Sequence, residues 1–277
     1  MNNLRLSWSG YNNFLFCPQS FFINYLNRIE IKEEFKSSAL RNGTAFHELV
    51  LQGKRDLLDK LDPEDILKIE ILAEKIGDFL VFKNTEQHWE KKLNQYVTLY
   101  GTIDCWLDDE TFGDLKLTSN PQRYLNEFGA TGQLQVYFTL VPDSVKYAYF
   151  LPIRFPESYV KKTEELGDFE ARLNLDVEKR MNYYFPLWRK DDRSQQIFGY
   201  KYYRSEFENQ MKIMKENILQ VCRMIWSCHD KMFFPRNYKS CWQCSYEDIC
   251  RINGENTRLD EIIYDNEKYI KKDEIKY

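Results

Sequence analysis

The sequence predicts an α/β fold, and three stretches carry that prediction. From Tyr96 to Thr118, β-branched and aromatic residues alternate with polar ones about Asp108-Asp109-Glu110, the pattern of a β-hairpin. Val145 to Leu151 is a second apolar run of strand length. Around both, apolar residues recur at helical spacing, most plainly between residues 63 and 82.

In chain order, residues 7–27 read as helical, with Ser9 placed to cap and Tyr11, Phe14, Leu15, Phe21, Phe22 and Tyr25 forming apolar faces. Asn42-Gly43 reads as a break, after which a helix runs from about Thr44 to Leu51. Pro63 opens the next helix, and Ile66, Ile69, Leu72, Ala73, Ile76 and Leu80 follow on one side of it. After the hairpin, residues 131–141 are helical and stop at Pro142. Residues 168–185 and 205–232 are helical too, and Ser205 with Glu208 has the spacing of a capping box. Residues 1–252 are expected to form one domain and 253–277 a polar tail.

The chain has 277 residues, 43% hydrophobic and 30% charged, the balance of a soluble globular protein. No apolar run approaches the ~20 residues of a membrane span. Met1 to Ser9 lacks the apolar core of a signal peptide, so a cytoplasmic place (that of a host cell for a virus-encoded chain) is the expectation. The net charge of -4 weighs mildly against nucleic acid as a partner. Only the field at the groove steers such a ligand, however, and a site that gathers carboxylates around a cation is acidic by construction. The phosphate-cradling pattern Gly-x4-Gly-Lys-Ser/Thr is absent, so ATP-driven work would fall to a partner.

The hairpin carries the most chemistry. A turn centred on Asp109 sets Leu107 across from Thr111 and Asp104 across from Asp114. Strand side chains alternate, so Asp104, Asp114 and Lys116 share one face. Ile103, Cys105, Leu107, Leu115 and Leu117 share the other, a core face whose burial pins the register. Two aspartates across a strand pair lie about 5 Å apart at Cβ and repel. Lys116 offsets part of that repulsion. A divalent cation between the carboxylates would remove the rest, and hard oxygen ligands suit Mg²⁺ or Mn²⁺ better than zinc. The same spacing also fits a solvated sheet face that binds nothing.

Two further features lie on helices. His47 follows the small residues Gly43-Thr44-Ala45, which allow close packing, and Gln133 and Tyr137 share a helix face four residues apart. Each alone also fits a surface histidine or an ordinary hydrogen-bonded pair.

Together the segments Gly43-Thr44-Ala45-Phe46-His47-Glu48, Gly101-Thr102-Ile103-Asp104, Asp114-Leu115-Lys116 and Gln133-Leu134-Gln135-Val136-Tyr137 resemble, in order, the motifs of the RecB-like branch of the PD-(D/E)XK nucleases. The resemblance covers roughly residues 9–251. It implies a restriction-endonuclease-like core, with a central mixed sheet flanked by helices and a helical region added. It implies metal-dependent hydrolysis of DNA, at ends or in single strands, with Mg²⁺ or Mn²⁺ held by His47, Asp104, Asp114 and the backbone carbonyl of Leu115. Lys116 matches the motif lysine, and Gln133 and Tyr137 match the QxxxY element that lines the DNA groove. Asp104 follows Ile103, not proline, which is the usual form in this branch. Glu90 resembles an accessory acidic position of some members. In such a site the cation acts as Lewis acid and lowers the pKa of bound water, while Lys116 stabilises the charge that builds on phosphate.

Four of the seven cysteines fall into a second pattern. Cys241-Trp-Gln-Cys244 and Cys250 put three thiols within ten positions, and Cys17-Pro18 can add a fourth if the distant segments meet. Cys105, Cys222 and Cys228 have no ligand spacing and read as small buried hydrophobes. Four thiolates suit structural zinc or a [4Fe-4S] cluster equally. An early Cys-Pro and a distal C-x2-C-x5-C around the nuclease motifs resemble the iron–sulfur nucleases of the AddB and CRISPR-adaptation kind. That implies a structural [4Fe-4S] cluster, and a helicase, recombination or CRISPR-type complex as partner. The alternative is a catalytically weak DNA-binding adaptor that keeps the cysteines and holds zinc. Gly199-Tyr200-Lys201-Tyr202-Tyr203-Arg204 mixes aromatics with cations and could touch single-stranded DNA, or pack on the core.

Overall fold

The computed structural model describes residues 3–122, 128–190, 196–252 and 267–272. Its strands are β1 (Leu4–Leu6), β2 (Ile29–Ile31), β3 (Asn84–Lys92), β4 (Val97–Asp108), β5 (Thr111–Thr118), β6 (Tyr147–Arg154), β7 (Arg189–Lys190), β8 (Gln196–Ile197), β9 (Tyr200–Tyr203) and β10 (Tyr269–Lys271). Its helices are α1 (Trp8–Phe16), α2 (Pro18–Phe21), α3 (Ser38–Gln52), α4 (Pro63–Phe79), α5 (Phe128–Leu140), α6 (Leu166–Lys179), α7 (Met181–Tyr184), α8 (Glu208–Asp230) and α9 (Glu247–Ile252). The fold is α/β, with a mixed sheet in the order β1-β4-β5-β6-β9, β3 beside β4, and helices flanking it. The chain divides into two compact units, one of residues 1–36, 90–100 and 213–277, the other of residues 37–89 and 101–212.

In the second unit, β5 and β6 run parallel and in register from Thr111↔Tyr147 to Thr118↔Arg154. Tyr-Ala-Tyr-Phe-Leu-Pro-Ile in β6 is apolar almost throughout because both of its faces are covered. Cys105, Leu115, Tyr149, Leu151 and Ile153 pack with Ala45 and Phe46 of α3, Ile69, Leu72 and Ile76 of α4, and Phe169, Leu173 and Val177 of α6. Phe112 meets α5 through edge contacts with Tyr137 and Phe138.

Helix α3 is longer than the sequence predicts. It is capped by Ser37, whose hydroxyl accepts from the Leu40 N–H, and it runs through Asn42-Gly43 to Gly53 at φ +67. Asn42 is buried and donates to Asp65 Oδ2 at 2.8 Å, so a residue that often breaks helices is held by α4 instead. A Cβ on Gly43 would meet nothing within 4 Å, so the close packing expected of the small residues falls to the fully buried Ala45.

The hairpin forms with Cys105↔Gly113 and Trp106↔Phe112 paired, but Asp108, not Leu107, faces Thr111. Asp108 Oδ1 accepts from the Glu110 N–H at 2.8 Å, which tightens the turn and pushes the extra residue into a bulge. The capping box also moves: the Tyr203 N–H donates to Glu206 at the head of the turn before α8, in place of Ser205 with Glu208. Residues 200–203 form β9, paired with β6 from Tyr147↔Tyr203 to Phe150↔Tyr200, so this segment is part of the sheet.

Gly199 enters β9 at φ +82, and a Cβ there would lie 2.2 Å from the Phe150 carbonyl oxygen. Gly199→Ala should therefore cost more than the ~1–3 kcal/mol of a strained left-handed backbone alone. A urea midpoint equal to the parent's would contradict this packing.

In the first unit, Ser7 caps α1 by accepting from the Gly10 N–H at 3.1 Å, two residues before Ser9, the expected cap. Strand β1 runs parallel to β4 with Leu4↔Val97 and Leu6↔Leu99. Strand β10 pairs antiparallel with β2, Tyr269↔Ile31 and Lys271↔Ile29, and Ile23, Ile29, Tyr246, Ile249 and Tyr269 form a small core. Of the expected polar tail, residues 253–266 and 273–277 lie outside the described residues. Among the described residues no helix is long and apolar enough to cross a membrane.

Candidate functional site

Asp104, Asp114, Leu115, Lys116, His47, Gln133 and Tyr137 all fall within the second unit. Beyond the Cys105↔Gly113 pair, the Leu115 N–H turns to the Asp104 side chain, donating to Oδ2 at 2.8 Å. The two strands thus part where their aspartates stand. His47, from α3, brings Nδ1 to 3.9 Å from the same Asp104 oxygen and hydrogen-bonds the Leu115 backbone. From the other face, α5 presents Gln133, whose amide donates at 2.8 Å to both Asp114 Oδ1 and the Tyr137 hydroxyl. Lys116 Nζ lies 3.2 Å from Asp114 Oδ1. Gly101 lets α5 lie close, because a Cβ would stand 3.2 Å from the Tyr137 and Leu140 side chains, tighter than ordinary contact.

The alternation predicted for the hairpin holds for Ile103, Cys105 and Leu115, which are fully buried. The polar face is only partly open to solvent: Asp104 and Lys116 are half-buried. Asp114 is 0% exposed, because α5 covers it. One of its oxygens, Oδ2, is buried with no hydrogen-bond partner.

That burial sets the charges. Burial and the nearby Asp104 push the Asp114 carboxyl up to about 6, against the pull of Lys116. Burial raises Asp104 as well, countered by Lys116 and the Leu115 N–H. Burial pushes His47 down to about 4, with Lys116 adding to it, so at neutral pH the ring is uncharged and keeps a lone pair. Burial works against the Lys116 ammonium too, but Asp114 and Asp104 hold its pKa above the ordinary lysine value. The site is therefore two crowded carboxylates with one fixed cation and one neutral imidazole. An unpartnered buried carboxylate oxygen costs free energy, and this donor set fits a hard divalent cation. Among the described residues no three His, Cys, Asp or Glu side chains stand close enough to form a ready-made cage.

Sequence reasoning missed one acidic residue. Glu86 sits on β3 at φ +48, takes a hydrogen bond from Gln52 at the end of α3, and adds negative field at both His47 and Asp104. Glu90, which resembles an accessory acidic position, forms an ion pair with Arg5. Only the helix preceding β3 carried an apolar period, so the strand itself gave no signal.

In the first unit, Cys17, Cys241, Cys244 and Cys250 line one small pocket with Phe16, Arg236, Asn237 and Glu247. All are free thiols. Asn237 joins the two segments, donating its N–H to Cys17 Sγ at 3.4 Å and its amide to the Phe16 carbonyl at 2.8 Å. Burial, then the neighbouring thiols, push Cys250 up to about 11, and burial raises Cys244. Cys244 and Cys250, raised in this way, belong to a donor set whose thiolate form a soft cation would favour. The pocket holds about 10 Å³, room for about one water, and among the described residues no three of these thiols form a ready-made metal group. Cys105 and Cys222 are buried elsewhere, as expected, whereas Cys228 is only half-buried.

The sequence profile of the PD-(D/E)XK nuclease superfamily matches residues 5–97, a span that includes His47 and Glu86 and ends before Asp104. No curated protein matches the chain. Among solved structures, a protein of Eubacterium rectale assigned as an exonuclease aligns over 95% of this chain and 94% of its own, at 13% identity and a TM-score of 0.55, which is a likeness of fold. A phage-related exonuclease from Haemophilus somnus 129PT aligns over 83% of this chain and 97% of its own, at 12% identity and a TM-score of 0.38.

Proposed function

We propose that this chain is a metal-dependent deoxyribonuclease that hydrolyses phosphodiester bonds at DNA ends or in single strands. The observation that carries the reading is the unpartnered Oδ2 of buried Asp114, set beside Asp104, a neutral His47 and a charged Lys116. The superfamily match over residues 5–97 supports it.

Asp104, Asp114, His47 and the Leu115 carbonyl would hold Mg²⁺ or Mn²⁺. Bound there, the ion supplies Lewis acidity and a water of lowered pKa. Lys116 keeps its proton and places fixed positive charge where the phosphoryl oxygens gain negative charge. The Leu115 N–H fixes the Asp104 carboxylate, and Gln133 fixes Asp114 Oδ1 and the Tyr137 hydroxyl, so neither acid must reorganise. Glu86 would add a third carboxylate to the acidic side. End-labelled single-stranded and duplex DNA, blocked at the 5′ or 3′ end and incubated with a metal series, tests the reading. Cleavage with Mn²⁺ and none in EDTA is expected; no cleavage of any substrate with any metal would defeat it.

For the cysteines we favour a structural [4Fe-4S] cluster, with zinc as the alternative. Such a clip closes a loop of more than two hundred residues and would contribute directly to folding. Cys17→Ser should lower the melting temperature and loosen residues 236–250, leaving the residues around Asp104 unchanged. Hydrogen bonds from Asn237 to Phe16 and from Gln19 to Pro235 do not need the clip, so partial order should survive. Protein prepared without oxygen should be brown and carry iron. Stoichiometric zinc would select the alternative, and neither metal with an unchanged melting temperature would exclude both.

A further inference from the structure

We propose that the segment from Lys231 to Trp242 is a landing surface for single-stranded nucleic acid, separate from the catalytic residues and resting on the nuclease reading above. Three rings and a methionine there face solvent: Met232 at 76% exposure, Phe233 at 64%, Tyr238 at 77% and Trp242 at 76%. Exposed large apolar groups gathered in one short segment mark interaction sites more often than chance.

The backbone beneath them is anchored. The Pro235 carbonyl accepts from the Gln19 N–H at 3.2 Å, and Asn237 donates to Phe16. Phe234 turns inward and stacks on Phe22 with centroids 4.7 Å apart. Phe233 and Phe234 therefore point to opposite sides, one into the core and one out, with Met232 at φ +49 making the turn. A held backbone that presents rings outward is arranged to receive a partner.

Charge selects that partner. Lys231, Arg236 and Lys239 lie among these rings, and no acidic residue occurs from Lys231 to Tyr246, in a chain whose net charge is -4. Rings stack on bases regardless of sequence, and interleaved cations meet the phosphates. The other aromatic and basic run, residues 199–204, has its backbone committed to β9.

The test is fluorescence anisotropy with labelled oligothymidylate and the full chain, in EDTA so that nothing is cut. Trp242→Ala and Tyr238→Ala should each weaken binding roughly tenfold, and oligothymidylate should quench Trp242 fluorescence in the parent. Lys239→Ala should lower the slope of log affinity against log salt by about 0.7. These side chains are exposed, so melting temperatures should match the parent's. Parent-like binding and salt slope in all three variants would overturn the proposal. If those variants instead lose a concentration-dependent sedimentation shift, the surface pairs copies of the chain and the proposal also falls. A parent that binds oligothymidylate through Trp242 but cuts no DNA would sink the nuclease reading and leave this surface standing.

Discussion

Lys116→Met should lower metal-dependent cleavage by at least roughly 10²-fold and destabilise the protein at pH 8 by about 3 kcal/mol. Methionine keeps most of the volume, so the loss is electrostatic. Lys116 stands 3.2 Å from Asp114 Oδ1 and is the cation that lowers both aspartates. Without it two crowded carboxylates remain with only hydrogen bonds. The sign of the pH dependence follows. Asp114 titrates at about 6 with the lysine present, and higher without it. Protonation then relieves the repulsion, so the stability deficit should shrink as pH falls from 8 toward 5. Urea unfolding at the two pH values measures it, and an equal deficit at both would show that the carboxylates are not what Lys116 serves.

Asp114→Asn should abolish cleavage, by at least about 10³-fold, yet leave stability at pH 8 equal or higher. Asn can keep the acceptor that takes Gln133 and Lys116 while removing a buried charge. Because the folded Asp114 carboxyl sits at about 6, above its unfolded value, the folded state binds its proton more tightly. Its contribution therefore falls as pH rises from about 4 to 6. His47, lowered to about 4, runs the other way, adding stability as pH rises from about 4 to 6.5. Each effect is on the order of 3 kcal/mol, so in the parent they oppose. In Asp114→Asn stability should climb more steeply across this window than in the parent. An unchanged profile would show that the two groups do not titrate as the burial implies.

The difference between these two variants could not be read from the sequence. Strand alternation puts Asp104, Asp114 and Lys116 on one face, but it carries no signal of whether that face is covered. Whether Asp114 meets water depends on α5, whose Gln133 lies 19 residues along the chain, a contact that no local period encodes. The same holds for Asn42, whose partner Asp65 lies on another helix. The turn was off by one residue because the Asp108 side chain competes for the Glu110 N–H. Strand β3 was missed because Asn-Thr-Glu-Gln-His-Trp-Glu-Lys-Lys is a polar strand with a single large apolar residue, and with it went Glu86. What was legible was short-range: the hairpin, the paired spacing of Gln133 and Tyr137, and the cysteine intervals.

The two units differ in how they are threaded, and that difference orders their birth. The unit bearing Asp104 and Asp114 is complete once residue 212 has been made. The other is stitched from three separate stretches, and its β2 waits for β10, near Tyr269, to supply a neighbour. On a ribosome the pocket of Asp104 and Asp114 can close while the cysteine-bearing unit still lacks Cys241, Cys244 and Cys250. Any metal those thiols take could be gathered only late in synthesis, after the pocket of Asp104 and Asp114 has been made.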